Sequence, residues 1–212
     1  GYKMSKSDGN VVDPLKLMET HGADIIRLWA LTSDYADDIR IGKDTLKNTG
    51  DLYRRIRNTL RFLLGALDGF TRDEMIEDFL EDTSQIPELE QLMLHQLFEM
   101  DKKVREYIEA YDFMKLTKAL HDFCNEELSA FYFDIRKDRL YCDAPDRYER
   151  RCTRTVMAMI FNSLTAWLAP VLSFTSEEAW QHRPSGIFDD VESVHLREFA
   201  SPPQSWHNPA LA

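Results

Sequence analysis

Apolar residues recur at intervals of three and four along most of the chain, which is the spacing of one face of an α-helix. Only residues 194–199 alternate in the manner of a strand. Four of the periodic stretches are long enough to cross a small domain, and their apolar stripes are typical of core positions. The predicted helices cover 14–20, 23–32, 43–64, 87–111, 112–135, 146–170 and 175–182.

Residues that favour helix ends support these boundaries. Asp13, directly before Pro14, is predicted to be an N-cap, and Gly22 is predicted to stop the same helix. Asp112 and Asp146 are the N-cap candidates of two later helices. Thr175 begins the sequence TSEE, which is the pattern of a capping box.

These helices predict an all-α fold, a helical bundle preceded by a short loop and two short helices. We expect three parts: 1–33, a bundle over 34–182, and a tail over 183–212. On the helix after Asp112 the periodicity turns Phe131 and Ile135 inward, and at least one of Phe131, Tyr132 and Phe133 must be core.

Composition limits the class of protein. The chain has 212 residues, a formal net charge of −11 and three cysteines, with no apolar run long enough to span a bilayer. Cys124, Cys142 and Cys152 form no CxxC pair, which favours a cytoplasmic, reducing setting, and Cys124 on an apolar stripe is expected to be inert. The histidines form no pattern that indicates a metal site, and His95 is expected to lie near a helix surface.

The negative charge is unevenly distributed. Residues 62–112 contain 14 acidic and 4 basic residues, and the region before them is slightly basic. A total of −11 disfavours nucleic acid as a partner, but the distribution leaves local basic surfaces available. The charge total therefore excludes less than its size suggests.

The sharpest motif is KMSKS, at residues 3–7. Two lysines three residues apart, with hydroxyl groups between them and Gly9 close by, could hold a polyphosphate, since ammonium groups neutralise charge that develops on phosphate. The alternative is an exposed lysine- and serine-rich loop without a ligand.

Basic residues also gather on helices. Arg54, Arg57 and Arg61 share one helical face with Asn58 beside them, a pattern that can follow phosphates or stack on unpaired bases. A second group consists of Arg136, Lys137 and Arg139. Each could instead be a solvated, ion-paired face. A third group comprises Arg147, Arg150, Arg151 and Arg154. We expect this group to be structural and to pair with Asp138, Asp143 and Glu149.

KMSKS resembles the second signature of class I aminoacyl-tRNA synthetases. The resemblance continues through HGADIIRLWA, SDYADDIRIG, LYRRIRNTLRFLL, FYFDIRKDRLY and APVLSFTSEEAW, to about residue 182. Together these segments are similar to the C-terminal part of bacterial-type isoleucyl-tRNA synthetases. Valyl and leucyl enzymes share the first module, whereas SDYADDIRIG and FYFDIRKDRLY favour the isoleucyl subgroup.

The resemblance implies roles for particular residues. In this family the KMSKS loop closes over ATP during amino acid activation, so Lys6 would contact the triphosphate with Lys3 assisting. These two lysines are the catalytic candidates, and Ser5 and Ser7 join them in ATP binding. Residues 14–33 would contact the tRNA stem, and the bundle would bind the anticodon through a set of polar residues, namely Arg54, Arg57, Asn58, Arg61, Arg136, Lys137 and Arg139.

The resemblance also indicates what lies outside these residues. The intact enzyme would use ATP with Mg²⁺, isoleucine and tRNA, as a cytoplasmic monomer. No nucleotide-binding sheet or editing insertion is found, so we expect a fragment that binds tRNA without catalysing. A zinc module often follows in this family, and no zinc site is expected within this chain. The alternatives are a valyl or leucyl enzyme, or a non-catalytic helical interaction module.

Overall fold

The computed structural model describes residues 3–35, 38–77 and 82–211. Within these ranges the secondary structure is helical and contains no strand, which confirms the all-α prediction. The α-helices are α1 (Pro14–His21), α2 (Ala23–Thr32), α3 (Lys43–Ala66), α4 (Glu88–Glu109), α5 (Phe113–Asp122), α6 (Phe133–Cys142), α7 (Tyr148–Leu168) and α8 (Ser173–Gln181). Short 3₁₀ turns lie at Thr83–Gln85, Val194–Leu196, Gln204–Trp206 and Pro209–Leu211.

Several helix ends are determined by local chemistry, as predicted. The Asp13 carboxylate accepts a hydrogen bond from the Leu15 amide at 3.0 Å and caps α1. Asp112 accepts from the Lys115 amide at 3.1 Å and caps α5. Gly22 ends α1 at φ +84°, a conformation that a residue with a Cβ rarely adopts.

The core is built around α7. Every residue of α7 from Cys152 to Leu168 except Met159 and Asn162 is buried, because α3, α4, α6 and α8 pack around it. The predicted stripe of α3 faces this core, with Ile56, Leu60 and Leu63 almost fully buried. None of the helices within the described ranges is both long and apolar enough to cross a membrane.

The helix predicted after Asp112 is continuous, but its middle is a π-helical segment, Phe123–Tyr132, between α5 and α6. A π-helix has more residues per turn than an α-helix, so the face that turns inward advances along the chain. Tyr132 and Phe133 are therefore buried, while Phe131 and Ile135 are 38% and 48% exposed. The predicted inward positions of Phe131 and Ile135 are wrong for this reason.

Three other local predictions are also wrong. The N-cap of α7 is Arg147, and Asp146 precedes it. Helix α8 begins at Ser173, so Thr175 lies inside the helix and is buried. The stretch predicted as a strand contains a 3₁₀ turn at Val194–Leu196, which is held by the carboxylate of Glu177 rather than by a neighbouring strand.

Helix α2 is fastened to the bundle by two polar residues. Asp24 is 5% exposed and accepts hydrogen bonds from the Thr175 amide at 2.7 Å and the Thr175 hydroxyl at 2.6 Å. Arg27 donates to the carbonyls of Pro170 and Val171 at 2.8 and 3.2 Å. Asp24 thus supplies the N-terminal acceptor of α8 from a distant part of the chain.

Candidate functional site

The KMSKS motif forms a closed turn. The Asn10 side chain accepts a hydrogen bond from the Ser5 amide at 2.7 Å and donates to the Lys3 carbonyl at 3.1 Å. Ser5 and Ser7 share a hydrogen bond of 2.6 Å between their hydroxyls. Gly9, at φ +65°, lets its amide bond the Lys6 carbonyl at 3.3 Å. Asn10 therefore holds the first and the middle residue of the motif.

The two lysines of this turn project into solvent. Lys3 and Lys6 are exposed, and neither ammonium group has a hydrogen bond or ion pair within the described residues. Opposite charges elsewhere on the surface pair readily, as Lys102 does with Glu99. Two unpaired ammonium groups on a backbone closed by hydrogen bonds make an arrangement suited to an anionic ligand.

The arginines of α3 divide into paired and unpaired members. Arg54 forms an ion pair with Asp51, and Arg55 donates to the Asn125 side chain at 2.9 Å. Arg57 and Arg61 lie one helical turn apart and are exposed, and within the described part of the chain neither has an acceptor. Asn58, next to Arg57, is exposed as well.

Arg57 and Arg61 border a cavity of about 280 Å³ between α3 and α8. Leu60, Leu64 and Ala179 supply its apolar lining. Its polar rim consists of Arg57, Arg61, Thr175, Glu178 and His182. A planar, partly apolar ligand with a negative charge would find both an apolar surface and cations here.

The N-terminal region and this cavity are joined by a short chain of hydrogen bonds. The Tyr53 hydroxyl on α3 lies 3.0 Å from the Thr175 hydroxyl on α8. The Thr175 hydroxyl in turn donates to Asp24 on α2. Helix α2 is therefore in direct polar contact with α8, and α8 with α3, which carries the arginines.

The second basic group is organised around a buried acid. Arg136 donates two hydrogen bonds of 2.7 Å to the carboxylate of Glu90, which is fully buried. Thr153 and Tyr132 donate to the same carboxylate at 2.8 and 3.3 Å. Burial lowers the pKa of Arg136, and the bonds to Glu90 more than compensate, so that its pKa is raised. This geometry favours a structural role for Arg136.

The remaining basic residues are also engaged. Lys137 pairs with Asp134 at 2.7 Å, and Arg139 lies 3.8 Å from Asp143. In the third group, Arg147 pairs with Asp143 and Glu149, as expected. Asp138, an expected partner, forms no ion pair among the described residues. Arg154 binds Glu74 at 2.5 Å and none of the expected partners.

Sequence reasoning missed the residues that hold these sites in place. Asp24 and Glu90 are polar residues on or beside apolar stripes, and periodicity alone treats such positions as surface. Asn10 lies in the loop before α1, outside any helical stripe. A polar residue within an apolar stripe is the available signal, since a buried polar group requires a partner. Cys124 is fully buried, as its place on an apolar stripe predicts, and burial raises the pKa of its thiol to about 12.

Two family patterns match the chain. The family described as "Anticodon-binding domain of tRNA ligase" matches residues 90–211. The family described as "tRNA synthetases class I (I, L, M and V)" matches residues 1–42, which include the closed KMSKS turn.

Curated relatives resemble the chain over its whole length. An isoleucine–tRNA ligase of Gluconobacter oxydans is 52% identical over 211 residues, covering 100% of this chain and 21% of the relative. The isoleucine–tRNA ligases of Agrobacterium fabrum and Zymomonas mobilis are 51% and 46% identical to this chain, and the matches cover 21% and 22% of their lengths. The chain thus spans about a fifth of the length of these relatives.

A solved structure shares the fold. A LeuRS of Agrobacterium radiobacter K84, solved in a ternary complex with tRNA and LeuAMS, superposes with a TM-score of 0.68 at 20% identity. The match covers 98% of this chain and 23% of that one. The pattern of the anticodon-binding domain covers more than half of the residues of this chain. The chain therefore belongs to the anticodon-binding domain family of tRNA ligases.

Proposed function

We propose that this chain is the tRNA-recognition portion of an isoleucine–tRNA ligase, in which Arg57 and Arg61 contact the tRNA anticodon region. The observation that carries the proposal is that these two guanidinium groups are exposed and without acceptors in the described structure. Similarity to isoleucine–tRNA ligases over the whole of this chain supports the choice of amino acid. It disfavours a valyl or leucyl enzyme.

The cavity between α3 and α8 suits a nucleotide. Anticodon bases are unpaired and can leave the stack, and such bases bind proteins by stacking on apolar or guanidinium surfaces. Leu60 and Leu64 offer the apolar surface, while Arg57 and Arg61 offer charge for the neighbouring phosphates. Asn58 and Arg54 extend the same face of α3.

The second basic group contributes less in this proposal. Arg136 is bound to buried Glu90 and stays out of the proposed interface. Lys137 is exposed but paired, and Arg139 is largely covered. We retain Lys137 as a peripheral phosphate contact.

The closed KMSKS turn is proposed to serve the complete ligase. Lys6, assisted by Lys3, would bind the triphosphate of ATP, which enters with Mg²⁺, and the Ser5 and Ser7 hydroxyls would bind its oxygens. Asn10 holds the backbone that presents these groups. The complete ligase would act as a cytoplasmic monomer that joins isoleucine to its tRNA, while the chain alone binds tRNA without activating isoleucine.

Charge reversal tests the interface. Arg57→Glu with Arg61→Glu should weaken binding of isoleucine-accepting tRNA more than about tenfold, since each phosphate or base contact is worth about 1 kcal/mol or more. Lys103→Glu changes another exposed cation, on α4, and should leave binding within about twofold. Fluorescence anisotropy with labelled tRNA measures both.

The alternative, a helical interaction module with no nucleic-acid role, predicts a different result. In that case the double variant and Lys103→Glu would behave alike, and circular dichroism would show both folded. Equal tRNA affinity in the wild type and the Arg57 and Arg61 variant would overturn the proposed interface.

A further inference from the structure

A cluster of possible metal ligands lies away from the arginines, where the C-terminal segment meets α4. His95, Glu99 and His207 each offer one ligand atom, and these atoms lie within 4.8 Å of one another. His95 and Glu99 are four residues apart on α4, so they share one face. The sequence predicted a surface position for His95 and no metal site, because it considered local spacing only. The surface position is wrong, since His95 is 5% exposed.

One pair of these ligand atoms already has the spacing that a shared metal ion requires. His207 Nε2 lies 3.4 Å from Glu99 Oε1. Two ligand atoms that bind Zn²⁺ at about 2.0–2.1 Å in tetrahedral geometry lie about 3.4 Å apart. The His95 and His207 rings are near each other, with centroids 5.5 Å apart.

The ligands are held by the fold. His95 and Glu99 lie in the middle of a 22-residue helix, which fixes their backbones. His207 follows the buried Trp206, and its ring packs against Phe98 with centroids 5.1 Å apart. Little rearrangement is therefore needed for the three groups to meet at one ion.

N–H donors now bind two of the ligand groups. The Lys102 ammonium donates to Glu99 Oε1 at 3.0 Å, and the backbone N–H of Asn208 donates to His95 Nδ1 at 3.3 Å. Lys102 is 55% exposed and can move into solvent, and 3.3 Å is a long hydrogen bond. A cation would thus replace one exposed ammonium and one weak contact.

We propose that His95, Glu99 and His207 form a binding site for a divalent transition metal ion of the Zn²⁺ class. Two imidazoles and one carboxylate are a ligand set that such ions prefer, and the partial exposure of Glu99 and His207 leaves room for water to complete the coordination. The bound ion would fasten the segment around His207 to α4. This site is independent of the proposed tRNA interface.

The test uses the tag-free chain and Zn²⁺ alone. Titration calorimetry should show one Zn²⁺ per chain, and thermal unfolding should shift upward with Zn²⁺, because an ion that binds only the folded state stabilises it. His207→Ala should weaken binding by more than about 100-fold, since even the outer-shell partners of metal ligands are worth about 10–100-fold. Replacing Zn²⁺ by Co²⁺ should give the visible absorption of a tetrahedral nitrogen and oxygen site.

Three further variants make the assignment specific. Lys102→Gln removes the competing ammonium and should tighten Zn²⁺ binding. His21→Ala, at an exposed histidine of α1, and Cys142→Ser, at an exposed thiol, should leave it unchanged. Unchanged affinity in His207→Ala, no thermal shift, or loss of binding in Cys142→Ser would overturn the site.

Discussion

At the scale of single residues, the buried charge of Glu90 limits which substitutions the chain can tolerate. Glu90 is fully buried, and its carboxylate accepts hydrogen bonds from Arg136, Thr153 and Tyr132. An ion pair of this kind contributes little net stability against an apolar replacement, but removal of one partner leaves a buried charge unpaired. The network therefore constrains which residues can be changed one at a time.

This network gives a prediction for Glu90→Gln. The substitution leaves Arg136, whose side chain is 12% exposed, without its carboxylate, and should lower the free energy of unfolding by about 3–5 kcal/mol. Urea denaturation followed by circular dichroism measures the change. Asp134→Asn removes the exposed partner of Lys137 and serves as the control, with a far smaller effect expected. Similar losses in the two variants would contradict the assignment.

At the scale of secondary structure elements, α8 and the segment after it are joined by Glu177. Its carboxylate accepts from the Val194 amide and the Ser193 hydroxyl, both at 2.9 Å, and from Gln181 at 2.6 Å. Burial raises the pKa of Glu177, but these hydrogen bonds together lower it below its ordinary value of 4.5. The contact therefore favours the ionised carboxylate.

We expect this contact to be sensitive to acid. A carboxylate with a depressed pKa stabilises the folded state above pH 4.5, and the stabilisation is lost as pH falls through the folded-state pKa. Glu177→Gln should therefore lower the Tm at neutral pH, and the difference from wild type should shrink well below pH 4.5. Differential scanning calorimetry at both pH values measures this. A constant difference at every pH would show that the charge of Glu177 does not matter.

Elements also show what the sequence could and could not predict. Periodicity located α3, α4 and α7, because each carries a regular apolar stripe, whereas the end residues Asp13, Pro14 and Gly22 located α1. It failed after Phe123, where the π-helical segment changes the number of residues per turn. No local pattern indicates that change.

The candidate sites divide in the same way. The KMSKS turn and the exposed Arg57 are visible as local motifs. The residues that hold or complete a site are distant in sequence, since His207 lies beside His95 although more than a hundred residues separate them. A single sequence contains no signal for such pairings.

At the scale of the whole molecule, the net charge of −11 should make tRNA binding selective and dependent on salt. An acidic body repels nucleic acid in general, and a few unpaired arginines provide the local attraction. Replacing Arg57 with Gln should reduce the slope of log K against log salt by about 1, as expected for one lost phosphate contact. Anisotropy titrations over a range of KCl concentrations measure the slope. Lys103→Gln should leave it unchanged, and an unaltered slope in Arg57→Gln would argue against phosphate contact.

The contact between Asp24 and α8 has a consequence for how α2 is held in place. Residues 151 positions apart in sequence fix the placement of α2, through a buried carboxylate and the Thr175 amide. The placement of α2 against α8 therefore does not depend on the covalent connection from α2 to α3 alone. A variant that loses the acceptor at position 24 should therefore release α2 from α8 even when that connection is unchanged.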